Sequence, residues 1–161
     1  MNSLCEKANR EKGCETIETS KGSVTSNNGQ GKQEKEYNEQ TAKFLAEKYG
    51  HDIVLLPRKN DEVSADAWNV TLKIKQEYKR LLTKSRNALD MALKKAAKQA
   101  DNIVVNITID YNDEMIIDVL SDRVRRKSSI KSVWLIKNNK SVRMTRDEIL
   151  SFNANKKIEW E

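Results

Sequence analysis

Glycine and proline almost vanish after the first part of this chain. Of its five glycines, Gly13, Gly22, Gly29 and Gly31 come early, only Gly50 follows, and the single proline is Pro57. Beyond Pro57 nothing interrupts a helix or strand by backbone geometry alone. From Tyr37 onward the chain becomes periodic, and hydrophobic periodicity decides the type of each element.

The periodicity changes along the chain. In EKEYNEQTAKFLAEKYG, residues Tyr37, Thr41, Phe44, Leu45 and Tyr49 share a helical stripe, and Gly50 stands where a left-handed cap belongs. Residues 53–56 read as a buried strand closed by Pro57. RKNDEVSAD is a polar loop, and WNVTLKIKQEY alternates as a strand does. SRNALDMALKKAAKQAD gives a helix with Leu89, Ala92, Leu93, Ala96, Ala97 and Ala100 on one face and Ser85 as N-cap. Residues 102–110 form a central strand. DEMIIDVLSDRVRRK gives a second helix packing through Met115, Ile116, Val119, Leu120 and Val124. A strand at 130–136, a turn at Asn138 and Asn139, and a short partner from Val142 follow. Thr145 with Glu148 is a capping box for a last helical turn. This order implies an α/β fold, a single domain with a mixed central sheet flanked by helices.

The first stretch differs. TSKGSVTSNNGQGKQ is Ser, Gly, Asn and Lys with one Val, too little apolar surface to offset its ordering entropy. Residues 1–34 are expected to be a polar tail or linker, with a short helix near the start. The domain proper is expected at 35–161.

Composition excludes several function classes. The chain has 161 residues, 34% charged, with net charge +6 and pI about 9.2, which favours an acidic or polyanionic partner. No apolar run reaches the length of a membrane span. MNSLCEKANREKG has no apolar signal core, so the chain is expected to be cytoplasmic. Cys5, Cys14 and His51 are too few for a four-ligand zinc site, and the thiols are expected to be reduced and exposed. A domain with one glycine has no phosphate-cradling loop. One histidine rules out two-histidine RNA cleavage, no serine stands in a nucleophile turn, and His51 is expected in a solvent-facing loop.

The cations are clustered. Lys73, Lys75, Lys79, Arg80, Lys84, Arg86, Lys94, Lys95 and Lys98 face only Glu77 and Asp90 between residues 73 and 98. Arg123, Arg125, Arg126, Lys127 and Lys131 form a second group. Such groups neutralise phosphates and release counterions. Nucleic-acid contacts are expected from Lys79, Arg80, Lys84, Arg86, Lys94, Lys98, Arg123, Arg125 and Arg126, with Trp68 stacking on a base.

The strongest candidate site is SADAWNVTLKIK, residues 64–75. Metal-dependent nucleases of the PD-(D/E)xK type place an Asp at the start of a hairpin and an acid-x-Lys on the returning strand. The carboxylates hold a divalent ion and the lysine orients or activates water. Asp66 and Lys75 fit this pattern, whereas the acid position falls on Lys73, which repels a cation.

The order of Asp66-Ala67, Lys75, Ser85, the helix from Ala88 to Ala100 with Gln99, and the strand at 103–107 resembles the C-terminal nuclease toxin domains of contact-dependent growth inhibition proteins. Related domains end some phage and conjugative-element proteins. The resemblance covers roughly residues 37–137. It implies a nuclease-like fold and cleavage of RNA, often tRNA, held off by a cognate immunity or inhibitor protein. It also implies delivery as the end of a secreted or phage-borne protein that acts in the cytoplasm. The implied site residues are Asp66, Lys75, Lys73, Glu39 of the first helix, and Gln99. No cofactor is expected, except magnesium if Asp66 and Glu39 converge. With Lys73 in the acid slot, the alternative is a non-catalytic nucleic-acid- or protein-binding domain of a phage or mobile genetic element.

Overall fold

The computed structural model describes residues 15–26, 32–58 and 64–161. Cys5, Cys14 and the short helix expected near the start lie outside them. The chain divides into two compact units, Met1–Gln76 and Glu77–Glu161.

In the first unit, β1 (Glu15–Glu18) and β2 (Ser23–Ser26) form an antiparallel hairpin. Helix α1 (Lys32–Tyr49) crosses over from β2 to β3 (Asp52–Leu55), which pairs parallel with β2. Strand β4 (Ala67–Asn69) returns antiparallel on β3 and pairs with the first residues of β5 (Ile74–Leu81). Along α1, Asn38, Thr41, Ala42, Leu45 and Ala46 are buried, a stripe offset by one residue from that expected.

The expected boundary near residue 34 misses the first hairpin. Val24, the single apolar residue of that polar stretch, is wholly buried. The turn into β2 brings Gly22 so close to His51 that a Cβ on Gly22 would sit 2.2 Å from the His51 carbonyl oxygen. Backbone pairing with β3 supplies what side chains do not, so composition alone pointed to a tail.

Gly50 adopts φ 72°, as expected of a left-handed cap, and its N–H donates to Ala46 O at 2.9 Å. His51 is not in a solvent-facing loop. It is 5% exposed, stacks on Tyr49, and its Nδ1 lies 3.0 Å from Asn69 Nδ2. Leu72 N donates to Asn69 Oδ1 at 3.0 Å, which orients the amide with its NH2 toward His51. The buried histidine therefore braces the β4–β5 turn.

The second unit holds the rest of β5, α2 (Arg86–Ala96), β6 (Asn102–Ile107), α3 (Asp113–Arg126), β7 (Ser132–Lys137), β8 (Lys140–Thr145) and α4 (Arg146–Leu150). Strands β6 and β7 run parallel, joined by α3, and β8 turns back antiparallel on β7. Asn138 and Asn139 take φ of 52° and 59°, the left-handed pair a two-residue hairpin requires. Leu89, Leu93 and Ala96 of α2 pack with Ile116, Val119, Leu120 and Val124 of α3 against Ile103, Val105, Val133 and Leu135 of the strands. Ser85 caps α2 and the Thr145–Glu148 capping box opens α4, both as read from the sequence. The fold is α/β, with mixed sheets and flanking helices.

Candidate active site

Residues 64–75 do not form the strand expected of them. Residues 70–73 are a turn, and the returning strand starts at Ile74. Lys73 sits in that turn at φ 58°, exposed. Lys73 and Lys75 therefore do not line one strand face. The apolar alternation of Val70, Leu72 and Ile74 imitates strand periodicity, and no glycine marks the turn.

This shift moves the acid-x-Lys pattern. On β5 it reads Glu77-Tyr78-Lys79, and Lys75, Glu77 and Lys79 alternate onto one face of the strand. Glu77 is buried at 5% exposure, and Lys79 Nζ stands 3.4 Å from its Oε2, with side-chain exposures of 31% and 7%. A buried carboxylate with a half-buried lysine two residues on is what the pattern needs. The acid can ligate a hard cation or hold a water, and the ammonium can stabilise negative charge. Glu77 was missed as a site residue, although the E-x-K signal stands in the sequence at 77–79.

In the first unit the register gathers two expected carboxylates. Leu55 pairs with Ala67, and Leu56 N donates to Asp66 O at 2.9 Å, so half-buried Asp66 lies at the carboxyl end of β3. Thr25 pairs with Val54, which puts Ser26 at that same end. Glu39 is held there by Ser26 Oγ, which donates to its Oε1 at 3.0 Å, with Lys35 Nζ at 3.9 Å. Carboxyl ends of parallel strands are where α/β sheets place ligands. Lys75 is exposed and pairs across the hairpin with half-buried Trp68. Gln99 is half-buried in the turn after α2, its backbone N donating to Ala96 O at 2.9 Å.

The expected phosphate contacts divide into two groups. Arg123 forms a two-armed ion pair with Asp90, its Nε and Nη2 each donating at 2.8 Å, with both side chains 12% exposed. That hydrogen bond holds the Asp90 carboxyl below its ordinary range, despite partial burial. Arg86 pairs with Asp118 at 3.1 Å and Asp122 at 3.8 Å, and Arg126 pairs with Asp122. Arg86 and Arg123 hold α2 to α3, Arg126 pairs within α3, and all three have intramolecular partners. Lys84, Lys94, Lys98 and Arg125 are exposed, and Lys79 and Arg80 are half-buried on β5.

A groove of about 960 Å³ runs between α3 and residues 152–158. Two of its acids are engaged: Asp113 takes Lys137 Nζ and Trp160 Nε1, and Asp118 takes Arg86. It lies at the opposite end of α3 from the arginine-rich last turn.

No family model and no curated protein matches this chain. Among solved structures, a chain of the CdiA-CT/CdiI toxin and immunity complex from Burkholderia pseudomallei is similar. The two share 17% identity at a TM-score of 0.52, over 70% of this chain and 85% of that one. At this identity the likeness is one of fold. The fold resembles a C-terminal toxin domain of contact-dependent growth inhibition, the group whose resemblance was drawn from residues 37–137.

Proposed function

We propose that this chain is a toxin-type ribonuclease whose catalytic residues are Glu77 and Lys79. The observation that carries the proposal is the buried Glu77 paired with Lys79 in an acid-x-Lys run on β5. The toxin-like fold and the net charge of +6 support the same reading.

In such a site an attacking oxygen forms a bond to phosphorus while the bond to the leaving oxygen breaks. Lys79 offsets the charge that builds on the phosphoryl oxygens, and Glu77 holds the attacking water or its proton. The Glu77 carboxylate is a hard oxygen donor, and magnesium needs only one or two protein carboxylates beside water and phosphate. When bound it would supply Lewis-acid activation of water.

Bulk tRNA is the substrate class, and a cognate immunity protein is the partner. The non-catalytic alternative rested on Lys73 in the acid position and on the shortage of acid/base groups; Lys73 lies in the turn, and Glu77 beside Lys79 is the acid that the catalytic reading uses. Expression in a host followed by inspection of its tRNA tests the proposal: tRNA fragments are expected, and intact tRNA contradicts it.

A further inference from the structure

Charges along the seam between α2 and α3 are matched turn by turn, then the matching stops. Arg86 meets Asp118 and Asp122, and one turn on Asp90 meets Arg123. Partner numbers rise together on both helices, so α2 and α3 run in the same direction. The next turn therefore brings Lys94 alongside the last turn of α3, with Arg126 and Lys127, and Lys98 follows in the turn after α2. No carboxylate is left for them there. Asp122 is taken by Arg86 and Arg126, and Asp101 by Lys131 at 3.6 Å. Lys94, Lys95, Lys98, Arg125 and Lys127 are all exposed and make no ion pair with any described residue.

Helix dipoles favour cations in a last turn, by about 0.3–1 kcal/mol each at low salt. That accounts for one or two cations. It does not account for five. An external polyanion resolves the excess.

The location fits. Thr108 N donates to Leu81 O at 3.4 Å, so the ends of β5 and β6 lie side by side and these strands run parallel. Glu77, four residues before Leu81, is thus level with the first residues of β6. That is the end of the second unit where α2 and α3 finish.

We propose that the last turn of α2, the turn that follows it and the C-terminal end of α3 form a surface that tracks the RNA phosphodiester backbone, with Lys94, Lys98 and Lys127 at its centre and Lys95 and Arg125 flanking. This rests on the ribonuclease reading. Arg86 and Arg123 belong to the seam and have no part in it.

The test measures tRNA binding across a salt series by the full chain carrying Glu77→Gln, which keeps the RNA intact. A triple variant, Lys94→Gln with Lys98→Gln and Lys127→Gln, is compared with a control triple, Lys48→Gln with Lys140→Gln and Lys156→Gln. The first is expected to weaken binding about tenfold or more and to lower the slope of log affinity against log salt by about 2. The control is expected to stay within about twofold of its parent. Equal losses in both triples would overturn the surface and leave the ribonuclease reading standing. A parent that binds no tRNA at any salt would overturn both.

Discussion

Lys79 Nζ lies 3.4 Å from the carboxylate of Glu77, two residues away on the same face of one strand, and that carboxylate is 7% exposed. A buried acid with a lysine beside it adds little net stability, because desolvation offsets much of the attraction. This pair is the reason for reading β5 as the functional strand.

Lys73 stands in the left-handed region, where an L side chain costs roughly 1 kcal/mol or more. Lys73→Gly is expected to raise the urea midpoint, by about 0.5–1 kcal/mol of stability, and to leave RNA cleavage unchanged. A loss of cleavage would return Lys73 to the site.

Asp90 and Arg123 join α2 to α3. Asp90→Ala is expected to cost about 2 kcal/mol, measured by denaturant unfolding, because it leaves Arg123 half-buried without its carboxylate. The pH dependence follows in sign. The folded Asp90 carboxyl titrates below its unfolded value, so its contribution is fully present above about pH 4 and is lost as pH falls through the lower folded value. Asp90→Asn is expected to flatten that acid limb of the stability profile.

His51 and Asn69 brace the β4–β5 turn. Asn69→Ala removes the acceptor of Leu72 N and the partner of His51 Nδ1, and is expected to lower stability by about 2 kcal/mol. His51→Ala is expected to destabilise without abolishing cleavage at a temperature where the fold persists. Abolished cleavage in a folded His51→Ala chain would make the histidine catalytic.

Much of this was legible in the sequence. The α2 and α3 stripes, Ser85, the Thr145–Glu148 box and the Asn138–Asn139 turn carry local signals strong enough to stand alone. Three features were not. The β1–β2 hairpin has one buried apolar residue, Val24, and is held by pairing with residues far along the chain. The 70–73 turn is set by the Asn69 side chain under apolar residues that alternate like a strand. Glu77 was counted only as one of two acids among many bases until the turn moved the strand register. Arg123 looked like a phosphate contact because its partner Asp90 lies 33 residues away.

The most direct measurement is the cleavage rate of bulk tRNA by purified wild-type protein and by Glu77→Gln, Lys79→Ala and Lys73→Ala variants, with and without magnesium. The account predicts cleavage by the wild type. It predicts losses of at least about 100-fold in the first two variants, with thermal midpoints retained, and a rate within about twofold for Lys73→Ala. Wild-type protein that leaves tRNA intact under both conditions, or a Glu77→Gln variant that cuts at the wild-type rate, would contradict it.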